Sequence, residues 1–289
     1  YSPFVVYKNM IIGSLGSSYY VTQTIQKIIP LLIMGLGVSV CFKMNFINIG
    51  ADGQFYMGAV AATYVALNYS EGMSAVAVLA LMFVVAFVAG GVWCLIAALL
   101  KSKWGVSETL VTLMLNYIAI QITSYCVALW ENPFGSNTVG VINQQSKLGW
   151  FPKFLGTDFA LNVIIVMALT VGMYLYLKYS KQGYEIAVVG ESERTARYVG
   201  IKVEKVIIRT MLISGAICGL AGLLLVGGTN HTLNASIVDG RGFTAVMVSW
   251  LGKFNPIWMI LTSFLLVFLG RGAGEIATDF GLNASFGDI

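Results

Sequence analysis

Two stretches hold the residue types that could do chemistry in this chain. In FINIGADGQ, residues 46–54, the side chains of Asn48, Asp52 and Gln54 interrupt a long apolar run. Polar groups at membrane depth are costly unless they face a cavity or a partner, so two amides and a carboxylate so placed mark a candidate solute pathway. Asn116, within the apolar run 109–129, joins this set together with Gln121, although amides inside spans also serve as interhelical hydrogen bonds. The other reading of 46–54 is a turn between two helices at the interface, where Gly50 and Gly53 permit non-helical backbone or close packing.

The second stretch is 178–209, which carries eleven of the chain's charged residues, seven of them basic. Within it Gly190, Glu191, Ser192, Glu193, Arg194, Ala196, Arg197 and Gly200 belong to a segment that reads as one short helix. Ser192 suits the N-cap, Glu193 the positive first turn and Arg197 the negative last turn, and the two charges can pair at i,i+4. Gly200 offers the stop. A small apolar side, Ala196, Tyr198 and Val199, is available to press into a groove on a soluble partner. The plain alternative is a basic loop that obeys the topological bias of Lys and Arg toward the cytoplasm.

Enzymatic readings find little support. His231 is the only histidine, Ser214 and Ser249 lie outside any G-x-S-x-G elbow, and no G-x-x-x-x-G-K-[ST] loop occurs. No catalytic residue and no metal site is therefore expected. Cys41, Cys94, Cys126 and Cys218 sit in apolar runs without C-x-x-C spacing and read as small core residues. The small residues of ISGAICGLAG include Gly215 and Gly219 at G-x-x-x-G spacing, which tight helix packing explains.

The elements that position these residues follow from composition. With 57% hydrophobic and 10% charged residues and a mean hydropathy of +0.80, the chain is far from the roughly 25% charge of soluble domains. It is expected to be an all-α polytopic transmembrane bundle, a single domain over 1–289, with about eight membrane segments and one more flanking each end. Residues 1–24 read as an interfacial segment. Apolar runs follow at 25–42, 55–69, 75–100, 109–129, 159–177 and 206–228, while 243–251 and 257–270 are too short to cross roughly 30 Å of hydrocarbon. Broken helices of that kind often mark transport pathways. The net charge of +4 is spread over loops, which argues for topology rather than nucleic acid. Placing 178–209 in the cytoplasm puts 1–24 and 130–158 outside; there Lys147 and Lys153 are matched by Glu131 and Asp158. Intramembrane charge reads as sparse, with no cluster of Arg and Lys. Phe46, Phe55 and Tyr117, beside the amides, offer rings for stacking and hydrogen bonds to a small polar solute.

PLLIMGLGVSVCFKMNFINIGADGQFYMGA, residues 30–59, resembles the signature of permease subunits of ABC importers in the branched-chain amino acid, ribose and nucleoside superfamily. So do SETLVTLMLNYIA, GYEIAVVGESERTARYVGI, ISGAICGLAGLLLVGGTNH and FTAVMVSWLGKFNP, in the same order along nearly the whole chain, with most likeness to the nucleoside-type members. Asp52 stands where the family usually has Glu, and Ala187 where the branch often has Arg. The resemblance implies a bacterial plasma-membrane importer with a second related permease subunit and an extracytoplasmic solute-binding protein. It also implies a cytoplasmic ATP-binding subunit that holds ATP and Mg, leaving this chain without a cofactor of its own. By the same resemblance 190–200 is the coupling helix, and Asn48, Asp52, Gln54 and Asn116 lie near the pathway. Sugar and riboflavin permeases of the superfamily are the alternatives in substrate. An ATP-independent carrier or channel is the alternative in class.

Overall fold

The computed structural model describes residues 3–70, 72–154, 157 and 159–279; Asp158 of the outer loop lies outside them. Among the described residues the first helices are α1 (Pro3–Leu15), α2 (Ser18–Lys43), α3 (Ala51–Asn68) and α4 (Ala75–Trp104). Then come α5 (Glu108–Trp130), α6 (Ala160–Tyr179), α7 (Lys181–Glu191), α8 (Glu193–Tyr198) and α9 (Val203–Leu225). A π-helical turn, Val226–Asn230, extends α9 and is followed by α10 (Arg241–Leu251) and α11 (Pro256–Asp279). Six of these are long and apolar enough to cross a membrane: α2, α4, α5, α6, α9 with its π turn, and α11. The remaining helices, α1, α3, α7, α8 and α10, fall outside this set, α3 with 18 residues and α10 with 11.

Two boundaries differ from the sequence expectation. Residues 3–24 divide between α1 and the first turns of α2, because Ser17 caps α2 by accepting a hydrogen bond from the Tyr20 amide. At the other end α10 is short as expected, but 257–270 is the first part of the 24-residue α11. Arg271 and Glu275 end the apolar run without ending the helix. The Arg271 guanidinium lies over the Tyr20 ring, and the Tyr20 hydroxyl donates to Glu275, so both charges are met by the start of α2.

Burial divides the long helices into an axis and a ring. The apolar windows of α9 and α2 are 89% and 78% buried, against 22–33% for α4, α5, α6 and α11. Small residues bring the axis into contact: Gly215 and Gly219 meet Gly90 on α4, Gly219 also meets Gly58 on α3, and Gly222 lies against Phe55 and Ala59. Where helices are surrounded by apolar neighbours and lipid, such close backbone approach is a main source of association. Gly37 on α2 closes the same packing against Cys218 and the Ser214 carbonyl. Three of the four cysteines are buried in this centre and all four are free, as small core residues should be.

Opposite the charged stretch, a long loop folds over the end of α9. Val139, Ile142 and Phe151 amides donate to the carbonyls of Leu233, His231 and Gly227 at 2.9–3.0 Å. His231 stacks on Trp150 with ring centroids 3.8 Å apart. Ser214 accepts a hydrogen bond from Asn48, and Ser249 donates to the Gly35 and Ala245 carbonyls. Both hydroxyls thus serve the packing.

Candidate functional site

The polar break begins with the way α2 ends. Asn45 adopts φ +62°, its amide donates to Phe42 O at 2.9 Å, and the Phe46 amide donates to Cys41 O at 3.0 Å. This is a Schellman stop with Asn in the left-handed position. Residues 46–49 then run without helix until α3 starts at Ala51. Backbone groups removed from water must be satisfied within the protein, and the amide side chains do this. Ile49 N donates to Thr112 Oγ1 at 3.3 Å, and Ile49 O accepts from Asn116 Nδ2 at 2.8 Å. Asn116 Oδ1 accepts from Gly53 N at 2.8 Å, and Asn48 Oδ1 accepts from Gly50 N at 2.9 Å and from Gln54 Nε2 at 3.1 Å. Asn48 Nδ2 reaches Ser214 Oγ at 3.2 Å, tying the break to α9.

Asn48, Gln54 and Asn116 are therefore brought together and buried, facing one another rather than open space. Gln54 Oε1 alone in this group is buried without a hydrogen-bond partner. Gln121 is exposed on α5 and takes no part. The expected stacking platform does not form either. Phe55 is fully buried edge-on to Tyr56, Phe46 is buried in the core, and Tyr117 is exposed on α5. Aromatic rings next to a tightly bonded break complete the packing around it, which composition alone does not distinguish from a ligand platform.

Asp52 does something different from the amides. It sits in the first turn of α3 and its Oδ1 accepts from the Gly242 amide, in the first turn of α10, at 2.7 Å. The α10 turn is set by two consecutive left-handed residues, Asp239 at φ +51° and Gly240 at φ +67°. One carboxylate thus lies at two helix N-termini, each worth roughly half a positive charge. The protein's own carboxylate occupies the place between the two N-termini and joins α3 to α10.

The segment 190–200, expected as one short helix, divides between the end of α7 and the whole of α8. Gly190 and Glu191 close α7, and Ser192 both ends α7 and caps α8 by accepting from Thr195 N at 3.3 Å. Gly200, at φ +83°, ends the unit with Gly200 N→Arg197 O at 3.1 Å and Ile201 N→Ala196 O at 2.9 Å. Glu193 and Arg197 occupy the expected ends but form no ion pair among the described residues. Ala196 is fully buried and holds α8 to its own fold, while Tyr198 is 92% exposed beside exposed Glu193, Arg194, Arg197 and Val199. The outward face of α8 is thus charge around one tyrosine.

These two sites touch. Gly190 lies directly against the Lys43 carbonyl at the end of α2, so close that a β-carbon would collide, and Asn45 Nδ2 donates to Gly190 O at 3.2 Å. Asn48 follows three positions after Asn45. The end of α7 therefore rests on the stop that begins the polar break.

Residues 20–280 match the family described as the branched-chain amino acid transport system, permease component. The chain belongs to this family. Relatives of the permease include the glucose ABC transporter permease of Haloferax volcanii, 30% identical over 99% of this chain and 78% of that one. The guanosine ABC transporter permease of Bacillus subtilis is 33% identical over 96% and 80%, and the nucleoside permease of Lactococcus lactis 26% over 96% and 79%. A solved structure, an inward-facing conformation of a metal-chelate type ABC transporter, aligns with a TM-score of 0.51. That match covers 98% of this chain and 93% of the other at 13% identity, which shows a shared fold.

Sequence reasoning missed two contributors to this permease's site. Asn45 is one, although Asn two residues past the last helical Lys43 is a recognisable helix-stop signal. Gly242 is the other, for which nothing local signals a partner 190 residues away.

Proposed function

We propose that the permease carries a nucleoside inward across a bacterial plasma membrane, as a multi-pass subunit that hydrolyses no ATP itself. ATP is hydrolysed in a separate cytoplasmic subunit that docks on α8. A second related permease subunit completes the passage, and an extracytoplasmic solute-binding protein delivers the solute. Two relatives named for guanosine and nucleoside transport support this substrate class. The observation that carries the mechanism is the contact of Gly190 with Lys43 and Asn45. Force applied to α8 reaches α7, then the end of α2, then the break that holds Asn48, Gln54 and Asn116. Asp52 marks the pathway, where α3 and α10 separate or close, and the three amides hold its wall. Alternation follows from differential binding of the ATP-binding subunit to two arrangements of that wall.

The test is purification of the intact complex in mild detergent, reconstitution into vesicles, and uptake of labelled guanosine with the solute-binding protein present. ATP-dependent uptake that vanishes without the binding protein supports the reading. Uptake of glucose or riboflavin with no guanosine uptake would overturn the substrate, and uptake by this chain without an ATP-binding subunit would overturn the mechanism.

A further inference from the structure

Three cations that stand far apart in the sequence gather at one place once the chain is folded. Lys27 on α2, Arg241 at the head of α10 and Arg271 on α11 line one cavity of about 240 Å³. Asp239 is the single carboxylate on its wall, and among the described residues it forms no ion pair with any of the three cations. The lining carries three positive charges against one negative. Asp52, which accepts from the Gly242 amide, faces Arg241 from behind the wall. Arg271 Nε is buried without a hydrogen-bond partner, although its guanidinium lies over the Tyr20 ring. Leu31 and Val267 give the cavity an apolar side, and Thr244 adds a hydroxyl.

Depth along the helices sharpens this. Lys27 lies sixteen positions before Lys43, roughly 24 Å up α2 at about 1.5 Å per residue. Arg271 lies fifteen positions into α11, at a similar height of roughly 22 Å. In a hydrocarbon core about 30 Å thick both sit a few ångströms inside the boundary opposite the charged stretch, within reach of headgroups by their long stems. Cations that outnumber the carboxylates on one cavity wall at that depth favour an added counter-charge.

We propose that this pocket is a binding site for a phosphate-type anion. Three cations from three helices, a hydroxyl and an unpartnered guanidinium N–H match the several acceptor oxygens of a phosphate. The same chemistry is offered by an anionic phospholipid headgroup and by soluble phosphate. The proposal stands independently of which solute is transported.

The experiment uses the full-length permease complex in nanodiscs of phosphatidylcholine, with phosphatidylglycerol or inorganic phosphate as probes. Native mass spectrometry counts retained lipid, and thermal unfolding reports stabilisation. A lipid source predicts phosphatidylglycerol retention that falls about tenfold in Lys27→Gln/Arg271→Gln and persists in Lys27→Arg. A soluble source predicts that millimolar phosphate raises the unfolding temperature in phosphatidylcholine alone, an effect abolished in the double variant. Unchanged unfolding of the variant in pure phosphatidylcholine shows that it folds. Identical behaviour of wild type and folded variant toward both probes would overturn the proposal. So would loss of the second permease subunit from the variant without any change in anion binding, which would assign the pocket to a partner's carboxylate. If the double variant fails to fold, Lys27→Gln alone, at an exposed side chain, must weaken binding of one probe or the proposal falls.

Discussion

Replacing Gly242 by alanine should break the contact that joins the two discontinuous helices. A β-carbon at 242 would lie 2.6 Å from Asp52 Cγ and 2.9 Å from its Oδ2, where ordinary contact begins at 3.4 Å. The first turn of α10 must then retreat by about 0.8 Å, a strain of the size that overpacked cores show, about 1–3 kcal/mol. Retreat also stretches the 2.7 Å bond from the Gly242 amide to Asp52, and hydrogen bonds to charged groups contribute about 1.5–3 kcal/mol. Better helix propensity returns up to about 1 kcal/mol. The net is a loss of about 2–5 kcal/mol, or roughly 5–15 °C in unfolding temperature for a protein of this size. The assay is thermal unfolding of detergent-solubilised wild type, Gly242→Ala, Asp52→Ala and the double variant. Asp52→Ala removes the atoms that collide, so adding Gly242→Ala to it should cost less than about 1 kcal/mol. Strict additivity of the two single effects would falsify the shared-carboxylate argument, as would a Gly242→Ala protein as stable as wild type.

Asn48→Leu should leave Gly50 N without a partner in a dry site and take one bond each from Gln54 Nε2, which keeps Cys94 Sγ, and from Ser214 Oγ, at about 1–3 kcal/mol for the group left unsatisfied. Its folded yield by size-exclusion fluorescence should drop sharply, and normal yield would show that water replaces the amide. Gly219→Val should wedge α9 away from Gly90 and the Ala86 carbonyl and cost at least about 1–3 kcal/mol, read as a lowered unfolding temperature. Arg197→Glu, on the exposed face of α8, should leave unfolding unchanged while uptake falls at least about tenfold, the removal of one charge-assisted interaction of about 1.5–3 kcal/mol; undiminished uptake would remove α8 from the docking surface. Gly190→Val should lower uptake with the ATP-binding subunit still bound, because the packing it disturbs is internal to the permease, and release of that subunit would contradict the proposed relay.

How far the sequence could be read depended on whether the deciding interaction was local. The caps at Ser192 and Gly200 and the small-residue face of Gly215 and Gly219 follow from neighbours in the chain, and the fold uses them as expected. What the sequence did not reveal is α7, whose end takes in Gly190 and Glu191, because Ser192 serves as the end of one helix and the cap of the next. The length of α11 was missed for a different reason: Arg271 and Glu275 look like the end of a span until Tyr20 arrives to receive them. Burial inverted the reading of the aromatics, since Phe46 and Phe55 pack on protein. The grouping of Asn48, Gln54 and Asn116 was legible as a polar cluster, but its inward hydrogen bonding depends on Thr112 and Ser214 from two other helices. Lys27, Arg241 and Arg271 look isolated in the sequence, and only the topology gathers them.

The seating of α7 on the end of α2 gives the long axial helix the properties of a lever. Its load point is Lys43, pressed by Gly190; its fulcrum is the crowded crossing at Gly35 and Gly37, where Met259, Val248, Cys218 and Ser214 leave no slack. The outer arm, from the crossing to Lys27, is about ten residues, or roughly 15 Å, so a tilt of about 5° moves Lys27 by roughly 1 Å. On the proposed relay, a displacement applied at the Lys43 end would reach the cation-lined pocket with reversed direction. Pro30 lies within that arm and weakens its hydrogen-bond ladder, so the same helix that transmits a push also contains the joint at which the push can be absorbed.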